Sequence, residues 1–114
     1  MRTRSLEKST WKSYSEWISK LLAGRRAEIE VSALGIGSQI QAEWVPLLGL
    51  VYDPKDDLFE VALEGLDHLI RRPLVFNVLD GPRGLESFEI IDGEGRSHTV
   101  NLRDPLDLPP PDQG

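Results

Sequence analysis

Two clusters carry residue types able to do chemistry. The first is the run Gly49-Leu-Val-Tyr-Asp-Pro-Lys-Asp-Asp-Leu-Phe-Glu-Val-Ala-Leu-Glu64, which gathers Asp53, Asp56 and Asp57 within five residues. Carboxylate oxygens of this kind suit Ca²⁺ or Mg²⁺. A calcium loop of the helix-loop-helix type, however, needs about twelve residues, a glycine at the sixth and a glutamate at the last. The five-residue stretch has neither. Turn chemistry explains it better: Asp53 accepts backbone hydrogen bonds, Pro54 presets φ, and the other acids solvate the tip. The second cluster is Leu66-Asp-His-Leu-Ile-Arg-Arg72. Asp67 and His68 suit acid/base work, and Arg71 and Arg72 suit a carboxylate or phosphate. Adjacent residues of a strand point to opposite faces, so Asp67 and His68 need not meet. Arg71 and Arg72 have Glu60 and Glu64 as alternative partners.

Other reactive patterns are missing from the sequence. The chain has no cysteine, which removes disulfides, thiolate zinc sites and cysteine nucleophiles. With two histidines, a zinc site would need both and carboxylates besides. There is no phosphate-binding Gly-Lys-Ser/Thr loop, no Gly-x-Ser-x-Gly elbow and no His-Glu-x-x-His. No cofactor is implied, and the residues argue for a non-catalytic module more than for an enzyme. His98 alternates with Val100 and Leu102, which implies an inward structural position.

Charge is distributed unevenly. Residues 1–26 hold seven Lys/Arg against two acids, net +5, and residues 27–114 hold six against seventeen, net −11. A basic leader on an acidic body fits either a nucleic-acid contact through Arg2, Arg4, Lys8, Lys12, Arg25 and Arg26 or internal packing. The acidic body argues against nucleic acid as the partner. The segment Met1–Thr10 has no apolar stretch of the signal-peptide kind, and no run approaches the ~18 residues of a membrane span. The expectation is a cytoplasmic protein with no membrane role that binds a protein partner or self-associates, since its sheet edges can pair.

The elements that must position these residues follow from periodicity. Residues 1–9 read as a flexible basic leader, and 10–103 as one α+β domain of ordinary composition, 39% hydrophobic and 28% charged. Residues 104–114, with Pro105 and Pro109-Pro-Pro111, read as a proline-rich disordered tail. A helix is predicted from Thr10 to Ala23, with Trp11, Tyr14, Trp17, Ile18, Leu21 and Leu22 on its packed face. Ser13 and Glu16 offer a second start by capping-box spacing, and Gly24 closes the helix. Trp11 and Trp17 are expected in the core, and Trp44 is a further candidate for stacking.

Alternation predicts strands around Ala27–Ala33 and Ile40–Trp44, with a break, bulge or edge at Pro46. Leu47–Tyr52, nearly all apolar, reads as covered on both faces. Phe59–Leu63, Leu74–Leu79, Phe88–Ile90 and Ser97–Leu102 follow, the last two joined by Asp92-Gly-Glu-Gly95. Leu66–Arg72 reads as either a helical turn or a strand, and Pro73 should hold Arg72 extended. Short turns leave no room for parallel crossovers. The expected fold is a helix packed on a curved, mainly antiparallel sheet of six to seven strands, or a partly open barrel.

The order Tyr-Asp-Pro-Lys-Asp-Asp (52–57), Leu-Asp-His-Leu-Ile-Arg-Arg-Pro (66–73) and Asp-Gly-Glu-Gly (92–95) resembles a family of short uncharacterised bacterial and archaeal proteins, over most of residues 11–103. That resemblance implies no activity, substrate or catalytic residue. The opening helix, followed by strands with a Gly…Asp…Leu hairpin, also resembles Sm-like RNA-binding barrels, a short fold that the strands after Pro73 exceed.

Overall fold

The structure, a computed structural model, describes residues 2–82 and 84–106. Its elements are β1 (Arg2–Ser5), a 3-10 turn (Lys8–Thr10), α1 (Trp11–Leu22), β2 (Arg26–Ala33), β3 (Gly37–Asp53), β4 (Leu58–Leu63), β5 (Leu66–Arg71), β6 (Pro73–Gly81), β7 (Gly84–Asp92) and β8 (Ser97–Leu106). All eight strands join one open antiparallel sheet in the order β1-β6-β7-β8-β2-β3-β4-β5. The fold is thus one helix on a large antiparallel sheet, with eight strands where six to seven were expected.

Two edge strands are added, and Ile40–Trp44 and Leu47–Tyr52, expected as separate strands, are one. The segment expected to be a basic leader contains β1, which pairs Arg2–Ser5 with Asp80–Asn77. Leu66–Arg71, ambiguous by pattern, is a strand pairing with β4 in an unbroken register. Residues 104–106, expected to open the proline-rich tail, are the last three residues of β8, and residues 107–114 lie outside the described residues.

Strand β3 organises the layers. Pro46 does not end it. Gly37–Pro46 pairs with β2, and Leu47–Asp53 pairs with β4. Trp44, at φ 51°, and a register shift between Leu47 and Gly49 bend the strand between those halves. The bend folds β4 and β5 back over β6, β7 and β8. Leu48 and Val51 remain exposed, so this strand is covered on one face, not two.

The helix closes the fold. Trp11, Ser15, Ile18 and Leu22 are buried along one stripe. Trp11 sits between the layers: its ring lies 5.3 Å from Tyr52, 5.4 Å from Phe59 and 6.2 Å from Phe76. Its indole N–H donates to the Leu6 carbonyl at 2.9 Å, and Leu6 N–H donates to Phe76 O. Edge-to-face contacts continue from Phe59 to Phe76 and on to Phe88. Trp17, expected in the core, is exposed and stacks edge-on to Tyr14. It sits six residues from Trp11, about 600° around the helix, and so faces away from the sheet.

The helix docks on β3 through Ser19. Its hydroxyl donates to the Leu50 carbonyl at 2.6 Å and accepts from Leu50 N–H at 2.7 Å. Gly49 lies against this contact: a Cβ there would stand 3.5 Å from the Ser19 oxygen, an ordinary van der Waals distance. Ser19→Ala leaves both Leu50 groups under the helix without that partner. The expected cost is about 1–3 kcal/mol in urea unfolding, at an unchanged denaturant slope.

Candidate functional site

The two chemical clusters end differently. At the acidic hairpin, Asp53 Oδ1 accepts from Lys55 N–H at 2.9 Å and Asp56 N–H at 3.4 Å. Asp57, at φ 50°, accepts from the Tyr52 hydroxyl at 2.6 Å and pairs with Lys8 at 3.1 Å. Hydrogen bonding from Tyr52 holds the Asp57 carboxyl below its ordinary range, and burial raises Tyr52 to about 12. Asp53 turns to its own loop and Asp57 to Tyr52 and Lys8. Among the described residues no three His, Asp or Glu converge on a metal position.

The basic candidates are also engaged with their own chain. Arg4 pairs with Asp80 at 2.7 Å, Lys8 with Asp57, and Lys12 with Glu16. Arg26 donates to the Trp44 carbonyl at 3.0 Å, and Arg103 lies over the Trp44 ring. Arg2 and Arg25 are exposed. Three of the six basic candidates, Arg4, Lys8 and Lys12, are therefore paired with carboxylates of their own chain.

The second cluster is sorted by β5 onto two faces. His68 pairs with buried Val61 and Ile70 with buried Phe59, so both point inward. Asp67, Leu69 and Arg71 take the outer face and are exposed. Arg72 forms the corner into β6 at φ 52°, not the extended conformation expected before proline. Its backbone N–H donates to Asp57 O at 3.1 Å, which ties the corner to the hairpin tip.

Inside, His68 meets a partner that neither chemical cluster contains. His68 Nε2 lies 2.9 Å from His98 Nδ1, and His98 Nε2 lies 2.9 Å from Asp92 Oδ2. His98 and Asp92 are buried. Asp92 is the first residue of the β7–β8 turn, and its Oδ1 accepts from the backbone N–H groups of Glu94 and Arg96 at 2.9 and 3.0 Å. Arg96 Nε donates to Oδ2 at 2.9 Å. Burial by itself would raise the Asp92 carboxyl. Hydrogen bonds from His98, the two backbone amides and Arg96 outweigh it and hold the group at about 2.

Asp92 is thus a carboxylate that only accepts, so His98 Nε2–H must donate to it. In a neutral His98 ring Nδ1 then accepts, and His68 Nε2–H donates to it. This leaves His68 Nδ1 as the one open lone pair of the chain. Burial, and next the nearby His98, lower His68 to about 4.

Beside this chain lies a cleft of about 280 Å³. Ile70, Arg71 and Arg72 line one wall, and Asp92, Glu94, Arg96 and His98 the other. Gly93 lets the turn lie against Arg72, since a Cβ there would be 3.3 Å from the guanidinium carbon. Glu94 reaches both cations: Oε1 is 3.7 Å from Arg72 Nη2, and Oε2 is 3.3 Å from Arg96 Nη2.

Asp92 and Arg96 lie outside both chemical clusters of the sequence, yet one signal pointed to Asp92. Extending the inward alternation of Phe88 and Ile90 by two residues places Asp92 inward, diagonal to His98, which pairs with Ile90. Nothing local announces that His68 meets them.

The model of the family of unknown function DUF5335 matches residues 2–111. The chain belongs to this family. A protein of Aquifex aeolicus (strain VF5), described as uncharacterized, is 36% identical over 110 residues, spanning 96% of this chain and 99% of its own length. No solved structure matches significantly. The DUF5335 match runs from β1 through β8, so both walls of the cleft lie within it. Among the described residues of this DUF5335 protein, no helix is long and apolar enough to cross a membrane.

The shifted groups give the pH dependence of stability a sign. His68 is neutral in the fold down to about 4 but protonates near 6.5 when unfolded. Between those values the unfolded chain binds more protons. Its contribution is fully present above pH 6.5 and is lost as pH falls toward 4. The ring is only partly buried, so the loss is about 1–2 kcal/mol, less than the full shift implies. Asp92 adds stability above pH 3.8 that is lost as pH falls through about 2. Urea unfolding at intervals from pH 7 to 4 should show the first loss, and His68→Leu should flatten it.

Proposed function

We propose that the protein is a small binding module whose cleft takes a compact anion, a carboxylate or phosphate group, between Arg72 and Arg96. One observation carries this reading. The single exposed carboxylate of Glu94 stands within 3.7 Å of Arg72 and 3.3 Å of Arg96. Two guanidinium groups on facing walls therefore already converge on one carboxylate, with Arg96 steadied by buried Asp92. A ligand anion takes the place of Glu94, whose exposed side chain swings outward at little cost. The Asp92–His98–His68 chain backs the cleft and keeps its wall fixed. Arg71 stands at the rim.

A nucleic-acid role draws less support, because Arg4, Lys8, Lys12 and Arg26 are already engaged with the chain. Its acidic body would also repel the long phosphate backbone of a nucleic acid, which needs many cationic contacts at once.

The test is calorimetric titration with inorganic phosphate and, separately, acetate at low salt. Glu94→Gln removes the internal competitor and should tighten binding roughly three- to tenfold. Arg72→Gln should weaken it by a similar factor. An affinity unchanged by both substitutions, or no binding by either protein, contradicts the reading.

A further inference from the structure

The two sheet edges differ in how they meet solvent. β1 is four residues long and carries Arg2 and Arg4, features that discourage further pairing. β5 is six residues long, pairs with β4 without a bulge, and contains neither lysine nor proline. Its open side carries no ladder among the described residues. Such an edge invites another strand.

The hydrogen-bonding parity of that edge can be read from its last bond. Arg72 N–H donates to Asp57 O, one step beyond the Leu58↔Arg71 pair. In an antiparallel ladder bonded pairs alternate, so the even residues of β5 bond toward β4. The N–H and C=O groups of Asp67, Leu69 and Arg71 point to the open edge. The same three residues put their side chains on the outer face, where all are exposed.

Those side chains are self-complementary. In an antiparallel pair of two β5 strands with Leu69 on the two-fold axis, Leu69 faces its own copy. Asp67 then faces Arg71 of the second copy on one side, and Arg71 faces Asp67 on the other. This register bonds odd residues to odd residues, as the open groups require. A shift of two residues either way keeps the backbone bonds but separates both ion pairs. Leu69, at the centre of this row, is 43% exposed. A pair of copies would cover apolar surface beside two opposite-charge pairs.

We infer that two copies of this chain join through β5, in antiparallel register centred on Leu69, to form one continuous sheet with Asp67–Arg71 ion pairs across the two-fold axis. The inference stands on the outer face and backbone edge of β5. It does not depend on anion binding at Arg72 and Arg96.

Sedimentation equilibrium of the full chain tests it, with circular dichroism as the check that each variant folds. The wild type should reach twice the 12.8 kDa chain mass. Asp67→Arg and Arg71→Asp should each weaken association about tenfold, by setting like charges opposite one another. The double variant Asp67→Arg/Arg71→Asp restores the opposite pairs and should recover most of the wild-type affinity. Glu94→Gln, in the cleft, should leave the mass unchanged. A wild type that stays monomeric at about 0.5 mM overturns the inference, that concentration being generous for a specific contact. So does a dimer indifferent to the single reversals, or a double variant no better than the singles.

Discussion

A buried carboxylate that can only accept hydrogen bonds dictates the arrangement around it. Asp92 sits at the start of the β7–β8 turn and is almost completely enclosed. Left alone, it would carry the large cost of an unpaired charge away from water. Four donors surround it: two backbone amides of its own turn, Arg96 and His98. Because Asp92 accepts, His98 must donate, and the direction of the whole chain to His68 follows. A local turn in the middle of the sheet order thereby sets the orientation of a side chain on the strand at its end. The same contacts place Arg96 at the cleft wall, so the polar network and the candidate site share one origin.

That network answers a problem created by β3. A single strand serving two half-sheets must bend, and its bend brings β4 and β5 over the strands that follow them in sequence. At one place the gap is filled by aromatic rings, with Trp11 touching Tyr52, Phe59 and Phe76. At another it is crossed by His68 and His98. The two fillings differ in kind. The aromatic cluster gains from removing apolar surface from water and tolerates small shifts. The histidine pair requires distances near 2.9 Å and a fixed ring orientation, so it specifies how the layers meet.

Much of the fold was legible because short-range periodicity reports burial. The alternation through Ala27–Ala33 and Phe59–Leu63, the acidic turn at Asp53 and the Asp92–Gly95 hairpin all stand in the structure. What was missed depends on partners distant in sequence. Arg2–Ser5 has no apolar pattern of its own, and it becomes a strand because β6 offers it a ladder. Pro46 suggested a break, bulge or edge; the strand runs on through it but bends and changes partners there, which accommodates a residue without an N–H. The site was half legible. His68, Arg71 and Arg72 do reach the cleft or the chain behind it, Arg71 at the rim, whereas Asp67 stays on the outer face of β5, as strand alternation demands. Meeting His98 requires the layers to fold over one another, which no local pattern encodes.

The direct test of this account is the tautomeric state of the two histidines, read from long-range proton–nitrogen correlations in the NMR spectrum of the folded protein near pH 7. The hydrogen-bond chain predicts His98 protonated at Nε2 with an accepting Nδ1. It also predicts His68 protonated at Nε2, with its Nδ1 lone pair open and its ring resisting protonation well below 6.5. Two rings that exchange freely between tautomers, with His68 titrating near its ordinary 6.5, would show that the chain from Asp92 to His68 does not join the layers.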